Sequence, residues 1–510
     1  MGVKGGSRVR RRSILWNALL LTGVNLLLRG VSMVFQVALS RRIGAAGVGL
    51  LQLVLTVETA AMTFGLSGAR VAAMYLCAEE FGRRRMEGVR SALEHCLGYG
   101  MLCSAAAGGA LILGSEWIAE TWLHAREAGR CLRLVALGLP VGCCGAILSG
   151  YFTACGQVGR LVRVEAAERL AGLAVTLALL HRYADGGAAE ACSAVILGGM
   201  LTGTASCAVL AGMIRHDLRG AAAYVGEGMG RRMFRLCLPL AASDYLRAGL
   251  RTVEQFLIPW GLMRAGGGSE AAMAEYGMMG GMVFPVLMFP AAILYALSDL
   301  LVPELARCRA EGRQARIRYL TERCLRMGLL YAGAVSGGLF ALGGALGEAI
   351  YGSAEAGRLL RWLAPMVLSL YMDAMVDGML KGLGEQVACV RYNTITMAMD
   401  VALLGLFLPR FGMTAYLGSF ALTHLVNFAL SLRRGLVATG YRPERGYALR
   451  LLLCTAGAGA AACFVTGGSV WGTMLWRGAV FAAMFLGLLG LTGTLGRRDT
   501  VWLRQALRGH

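Results

Sequence analysis

Residues 131–153 read CLRLVALGLPVGCCGAILSGYFT, an apolar run with one charged side chain, Arg133. At about 1.5 Å per residue, a helix of that length crosses a hydrocarbon core of about 30 Å. Similar runs recur from one end of the chain to the other. They fall near 14–40, 47–75, 92–114, 131–153, 161–180, 191–213, 234–259, 273–301, 326–350, 358–380, 388–408, 413–432, 448–466 and 474–495. The expectation is an all-α, polytopic membrane protein with about fourteen transmembrane helices. The run at 161–180 is the most polar of the set, because Arg163, Glu165, Glu168 and Arg169 crowd its first half.

Composition agrees. Of 510 residues, 57% are hydrophobic and 16% are charged, with a mean hydropathy of +0.59. A soluble chain carries about 25% charged residues. Glycine is abundant at 73 residues, and clusters such as Gly343, Gly344 and Gly347 suit close helix approach. The net charge of +20 sits in short gaps between apolar runs rather than in a basic domain, which argues against nucleic acid as a partner. The 15 cysteines show no Cys-x-x-Cys pair, and His95, His181, His216 and His424 show no ligand spacing, so no metal site is expected. The basic N-terminus (Lys4, Arg8, Arg10, Arg11, Arg12) resembles that of a signal peptide. The apolar stretch after it is too long for one and reads as a retained first helix.

An even number of spans puts both termini on one side. The loops on that side, with the termini, hold roughly 34 of the 50 Lys and Arg against roughly 11 in the opposite loops, which predicts cytoplasmic termini. An internal repeat is also visible. Leu132-Arg133-x-x-Ala136 recurs as Leu360-Arg361-x-x-Ala364, Gly150 and Gly156 as Gly378 and Gly384, and Glu94, Cys96 and Leu97 as Glu322, Cys324 and Leu325. All share an offset of 228 (360 − 132 = 228). A six-helix unit enters the membrane twice from the same side, so the repeats are parallel, a transporter architecture. The expected division is a six-helix lobe over 1–220, a second over 221–440, and two extra helices with a cytoplasmic tail over 441–510.

Charges inside spans are costly and face a cavity or a partner. In the seventh run, Asp244, Arg247, Arg251 and Glu254 fall within an arc of about 80° at 100° per residue. In the first run, Asn25, Arg29, Ser32 and Gln36 share a face. The two runs are equivalent in the repeat, so these faces are expected to line one cavity. Arg29, Arg247 and Arg251, with Asn25 and Gln36, are the candidate substrate contacts, since a guanidinium fork matches pyrophosphate oxygens. Ion pairing of Arg247 with Asp244, or of Arg251 with Glu254, would account for the seventh-run stripe equally well. In the tenth run, Asp373, Asp377 and Lys381 follow i, i+4, i+8 and share a face. With Asp244 and Glu254 they are the candidate coupling or gating residues. Two carboxylates at such depth could exchange a proton or bind Na⁺, and a static salt bridge from Asp377 to Lys381 is the alternative. Asp299 and Asp400 read as helix-end residues. Pro285 and Pro290 predict a kink in the eighth run.

Several stretches resemble one family. Asn25-Leu26-Leu27-Leu28-Arg29-Gly30 with Ser40-Arg41-Arg42-Ile43-Gly44, and Ser67-Gly68-Ala69-Arg70 leading to Ala78-Glu79-Glu80, are similar to stage V sporulation protein B homologues. So are Leu257-Ile258-Pro259, Tyr276-Gly277, Phe289-Pro290, Ala296-Leu297-Ser298, Leu301-Val302-Pro303, Ile350-Tyr351-Gly352, Gly382-Leu383-Gly384-Glu385 and Pro409-Arg410-Phe411-Gly412. This stage V sporulation protein B/MurJ-like family lies in the multidrug/oligosaccharidyl-lipid/polysaccharide (MOP) exporter superfamily. The resemblance implies two six-helix lobes and a flippase that moves undecaprenyl-pyrophosphate-linked glycans, such as lipid II-like or polysaccharide precursors, by alternating access. It also implies a link to peptidoglycan and spore cortex synthesis. One departure stands out. MurJ-type members carry charge just before the Phe-Pro of the eighth helix, where this chain has Val286, Leu287 and Met288. The competing expectation is a multidrug or cation antiporter of the same superfamily, which would favour an acidic, aromatic-lined cavity. An enzyme is not expected, because the outer loops are short. No cofactor is expected beyond a coupling proton or Na⁺. The expected partners are a polyprenyl-pyrophosphate-linked glycan and membrane lipids, with the chain as a monomer.

Overall fold

The computed structural model describes residues 4–123, 125–182, 187–220, 228–266 and 268–494. Within them, the side chains of residues 4–26, 28, 29, 243, 299, 300 and 445 fall outside the description. The elements among the described residues are all helices, joined by short turns, without a strand. By contact they divide into two compact units: residues 42–277 with 404–412, and residues 278–403 with 1–41 and 413–510.

Helix α1 (Lys4–Leu66) is interrupted at Gly44, whose backbone is non-helical (φ 69°, ψ 176°). The part of α1 after that break opens the 42–277 unit. There follow α2 (Ala69–Gly82), α3 (Met86–Thr121), α4 (Ala128–Ala154), α5 (Val158–Arg182), α6 (Ala188–Asp217), α7 (Met229–Arg264) and α8 (Ser269–Met278). Ser67 (φ 44°) and Gly68 (φ 77°) break the chain between α1 and α2. The core mixes small and large side chains: Ala69, Ala72, Leu76, Val89, Ile147, Tyr151, Phe152 and Cys237 are fully buried. Helix α7 follows the first repeat in sequence yet packs on α2 and α3. A Cβ at Gly68 would fall 2.9 Å from the Cys237 carbonyl oxygen, and Arg232 bonds Glu80 at 3.0 Å.

The second unit continues with a π-helical turn (Met279–Val283), α9 (Phe284–Met288), α10 (Ala291–Ala310), α11 (Gln314–Tyr351), α12 (Ala354–Leu363) and α13 (Met366–Gly382). It ends with α14 (Gln386–Thr439), α15 (Arg445–Cys463) and α16 (Val470–Leu491). Where a kink is expected, the helix is interrupted at Phe289–Pro290, between α9 and α10, and neighbouring tyrosines donate to carbonyls on either side. The Tyr371 hydroxyl donates to the Leu287 carbonyl at 2.6 Å, and that of Tyr331 donates to the Pro290 carbonyl at 2.8 Å. Helix α14 breaks at Gly412 (φ 54°, ψ −138°). Its two legs run antiparallel, since Asn427 meets Asn393 while Ser419 meets Asp400. Helices α15 and α16 pack on α11, where a Cβ at Gly337 would fall 2.6 Å from the Phe481 ring.

The repeat seen in the sequence is a repeat of contacts. Gly150 approaches the Arg70 carbonyl oxygen and Gly378 approaches Ser298, each pair displaced by 228 (298 − 70 = 228). Gly108 lies against the Ala136 carbonyl oxygen, while Ser336 donates to that of Ala364 at 2.8 Å, again at the same offset. Gly156 and Gly384 end equivalent helices at φ 70° and 69°, and Arg84 and Gly312 occupy equivalent left-handed turn positions.

Among the described residues, nine helices are long and apolar enough to cross a membrane, or ten if α12 and α13, bent by 56°, form one broken span. This is a multi-pass membrane protein. The lower number, against about fourteen runs, has physical causes. Helix α14, at 54 residues, is counted once although it folds back at Gly412. Helices α5 and α7 form where expected, but their charged stripes lower their hydropathy. All fifteen cysteines are free, nine of them buried and the other six partly buried.

Candidate functional site

The first site lies in the second unit, where α13 faces both legs of α14. Asn427 holds it together. Its Nδ2 donates to Asp373 Oδ2 at 2.9 Å and to Asn393 Oδ1 at 2.9 Å, and its Oδ1 accepts from Thr396 Oγ1 at 3.3 Å. Asn393 Nδ2 in turn donates to Asp377 Oδ2 at 3.4 Å. The second oxygen of each carboxylate, Oδ1 of Asp373 and of Asp377, is enclosed without a hydrogen-bond partner among the described residues. Two carboxylates are thus supplied with too few donors, and a proton or a small cation would complete them. The oxygens on offer come from carboxylates, amides and a hydroxyl, which suit a hard monovalent ion rather than a transition metal. Among the described residues no group of three or more His, Cys, Asp or Glu could hold a metal.

The i, i+4, i+8 face therefore divides. Asp373 and Asp377 enter the network, whereas Lys381 is exposed and makes no salt bridge with Asp377 among the described residues. One helical turn further along α14, Asp400 is 8% exposed and accepts from Ser419 Oγ at 2.5 Å and Thr423 Oγ1 at 3.3 Å. This corrects its reading as a helix-end residue. The first leg of α14 runs on toward Gly412, so Asp400 lies well inside it. The side chain of Asp299 falls outside the described residues.

The second site is on α7. Arg247 Nη2 pairs with Asp244 Oδ1 at 2.9 Å, both about half exposed, so the pairing alternative is realised for these two. Arg251 is exposed and Glu254 is half-buried on the same face. The opposite face of α7 lines an apolar cavity of about 700 Å³, with Tyr245, Thr252 and Phe256 facing Phe64, Ala107 and Trp122. A smaller cavity of about 280 Å³ continues from Trp122 and Phe256 to Trp260. The two faces of α7 are set roughly 160° apart around its axis. Ser67, at the break before α2, hydrogen-bonds the Tyr245 hydroxyl, so the break and this cavity share a wall.

On α1, Gln36 keeps its Nε2 enclosed and unpartnered among the described residues. The side chains of Asn25 and Arg29 lie outside the described residues.

The MatE family model matches residues 21–176. The chain is similar to stage V sporulation protein B of Bacillus subtilis (strain 168), 22% identical over 403 residues that make up 77% of each protein. Sporulation protein YkvU of the same organism is 24% identical over 159 residues, 31% of this chain and 36% of that one. Among solved structures, the lipid II flippase MurJ in an inward closed conformation aligns with a TM-score of 0.69 at 12% identity. The alignment covers 95% of this chain and 100% of that one. An inward-facing MATE family multidrug resistance transporter of the MOP superfamily aligns with a TM-score of 0.59 at 14% identity, over 82% of this chain and 96% of that one. The resemblance read from the motifs is borne out, and the fold is that of the MurJ and MATE membrane transporters.

Proposed function

We propose that this chain is a MOP-superfamily transporter, not an enzyme, and that it flips a polyprenyl-pyrophosphate-linked glycan across a bacterial cytoplasmic membrane by alternating access. The observation that carries the reading is α7. One face holds Asp244, Arg247, Arg251 and Glu254, and the other lines a long apolar cavity. A lipid-linked glycan has the same division, with an anionic pyrophosphate joined to a hydrocarbon chain. The guanidinium of Arg251 is exposed for such a group, and that of Arg247 would exchange its hydrogen bond with Asp244 for phosphate oxygens. Similarity to stage V sporulation protein B along 77% of the chain supports a role in sporulation. Gln36, Asn25 and Arg29 remain candidate contacts on α1. The α13–α14 cluster is the proposed coupling site, where entry of a proton or Na⁺ would satisfy Asp373 and Asp377 in one state of the cycle.

The test is scrambling of a fluorescent polyprenyl-pyrophosphate-linked sugar in proteoliposomes. Transport by the intact chain, lost in Arg247→Ala with Arg251→Ala, is expected. Absence of both binding and scrambling in folded protein would overturn the reading. The MatE match favours a second reading, a multidrug or cation antiporter. Proton- or Na⁺-driven efflux of an organic cation, with no movement of the lipid-linked sugar, would establish that one instead.

A further inference from the structure

The repeat extends further than the spans alone require. Residues 127–133 read Glu-Ala-Gly-Arg-Cys-Leu-Arg and residues 355–361 read Glu-Ala-Gly-Arg-Leu-Leu-Arg, identical at six of seven positions at the 228 offset. The same backbones meet in both copies, more tightly in the second. A Cβ at Gly129 would fall 3.8 Å from the Ser115 carbonyl oxygen, whereas one at Gly357 would fall 3.1 Å from that of Gly343 and 2.7 Å from that of Gly344. The difference is in the counterion. In the first copy, Arg133 Nη2 lies 3.3 Å from Glu116 Oε1. The residue equivalent to Glu116 is Gly344 (116 + 228 = 344). Arg361 lies over that glycine, with Nη2 only 3.2 Å from where a Cβ would be. Its Nε is enclosed without a hydrogen-bond partner, and among the described residues it makes no salt bridge. The charges nearby do not compensate for it. Glu355 is engaged by Arg358 at 3.6 Å, and Glu348, one turn beyond Gly344, makes no salt bridge among the described residues.

The position in the fold indicates what kind of anion would fit. Gly344 lies seven residues, or about 10 Å, before the end of α11 at Tyr351, on the membrane face opposite the basic 307–326 segment. Trp362, next to Arg361, is 77% exposed, as expected of a side chain at the membrane–water interface. A half-buried guanidinium without a carboxylate at that depth calls for an anion, and its planar fork matches phosphate oxygens. We propose that Arg361, lying over Gly344, binds the phosphate of a membrane lipid at this interface, and that the first repeat has closed the matching position with Glu116. The phosphate is either the phosphodiester of an anionic phospholipid or the pyrophosphate of a polyprenyl lipid. The inference stands apart from the transport reading, because it concerns equilibrium binding at a site distant in sequence from α7.

The test uses the full chain in detergent, titrated separately with phosphatidylglycerol and with undecaprenyl pyrophosphate and followed by native mass spectrometry. Arg361→Ala should weaken one of the two probes by roughly ten- to hundredfold, and the probe affected identifies the source of the phosphate. Gly344→Glu keeps the arginine but supplies the counterion found in the first repeat, and it should weaken the same probe to a similar extent. Its Cβ would meet only the Arg361 guanidinium, the end of a flexible side chain that can give way by a few tenths of an ångström. Unchanged affinity for both probes in both variants would overturn the proposal. A loss in Arg361→Ala that Gly344→Glu does not reproduce would also overturn it, because the arginine would then act through packing rather than charge.

Discussion

Asn427 joins Asp373, Asn393 and Thr396 through three hydrogen bonds, so its side chain is the cheapest place to dismantle the α13–α14 cluster. Asn427→Leu strips a donor from Asp373 and from Asn393 at once. Each group left unsatisfied costs about 1–3 kcal/mol, and a clear fall in Tm in detergent is expected. Replacing Asp373 and Asp377 together by Asn tests a different property. It removes charge while keeping size and polarity, so scrambling should continue but lose its dependence on an imposed pH or Na⁺ gradient. Gradient dependence that persists in the double variant would place coupling elsewhere. The two aspartates stood out in the sequence because charge inside an apolar run is conspicuous. Their partners did not, although Asn393, Thr396 and Asp400, like Ser419, Thr423 and Asn427, recur at helical spacing. Amides and hydroxyls barely alter hydropathy, and only the fold-back at Gly412 shows that the two rows meet.

At the level of elements, the break around Pro285 and Pro290 shows how an irregular helix survives inside a membrane. Backbone groups freed by proline have no water to turn to, and neighbouring side chains must satisfy them. Tyr371 and Tyr331 reach this stretch from α13 and α11 and donate to the Leu287 and Pro290 carbonyls, on either side of the Phe289–Pro290 interruption. Tyr371→Phe keeps the buried ring and removes only the hydroxyl, so it isolates the bond to Leu287. A loss of about 1–3 kcal/mol is expected, read as lower resistance to thermal or denaturant unfolding. An unchanged stability would mean that the Leu287 carbonyl finds another donor. The interruption itself was legible, because two prolines five residues apart remove two backbone donors from one helix. The π-helical turn before it and the 56° bend between α12 and α13 were not legible, since they depend on which neighbours fill the gaps. The charged helices α5 and α7 were recovered from sequence by their length and position, where hydropathy alone would have dropped them.

For the whole molecule, the repeat is the organising fact. A parallel six-helix repeat returns each copy to its starting face, so the basic segments of both copies belong on one side. If that side is the cytoplasm, as the charge bias predicts, alkaline phosphatase fused after His510 should be inactive and a fusion within the 115–130 segment should be active. Activity at the C-terminal fusion would require an odd number of spans. The repeat could be read from glycines and a Leu-Arg pair because positions of closest helix approach tolerate few residue types. Its contact pattern, including Gly108 answering Ser336 and Glu116 answering Gly344, required coordinates, because the residue types at those positions differ.

The fifteen cysteines make this chain chemically quiet. None is exposed, nine are buried, and no two are joined. A maleimide reagent should therefore label the native protein slowly, and a single cysteine introduced at an exposed position such as Lys381 should react first. Spin or fluorescent reporters could then be placed on the unaltered background to follow α13 through a transport cycle, without first stripping the chain of its own thiols.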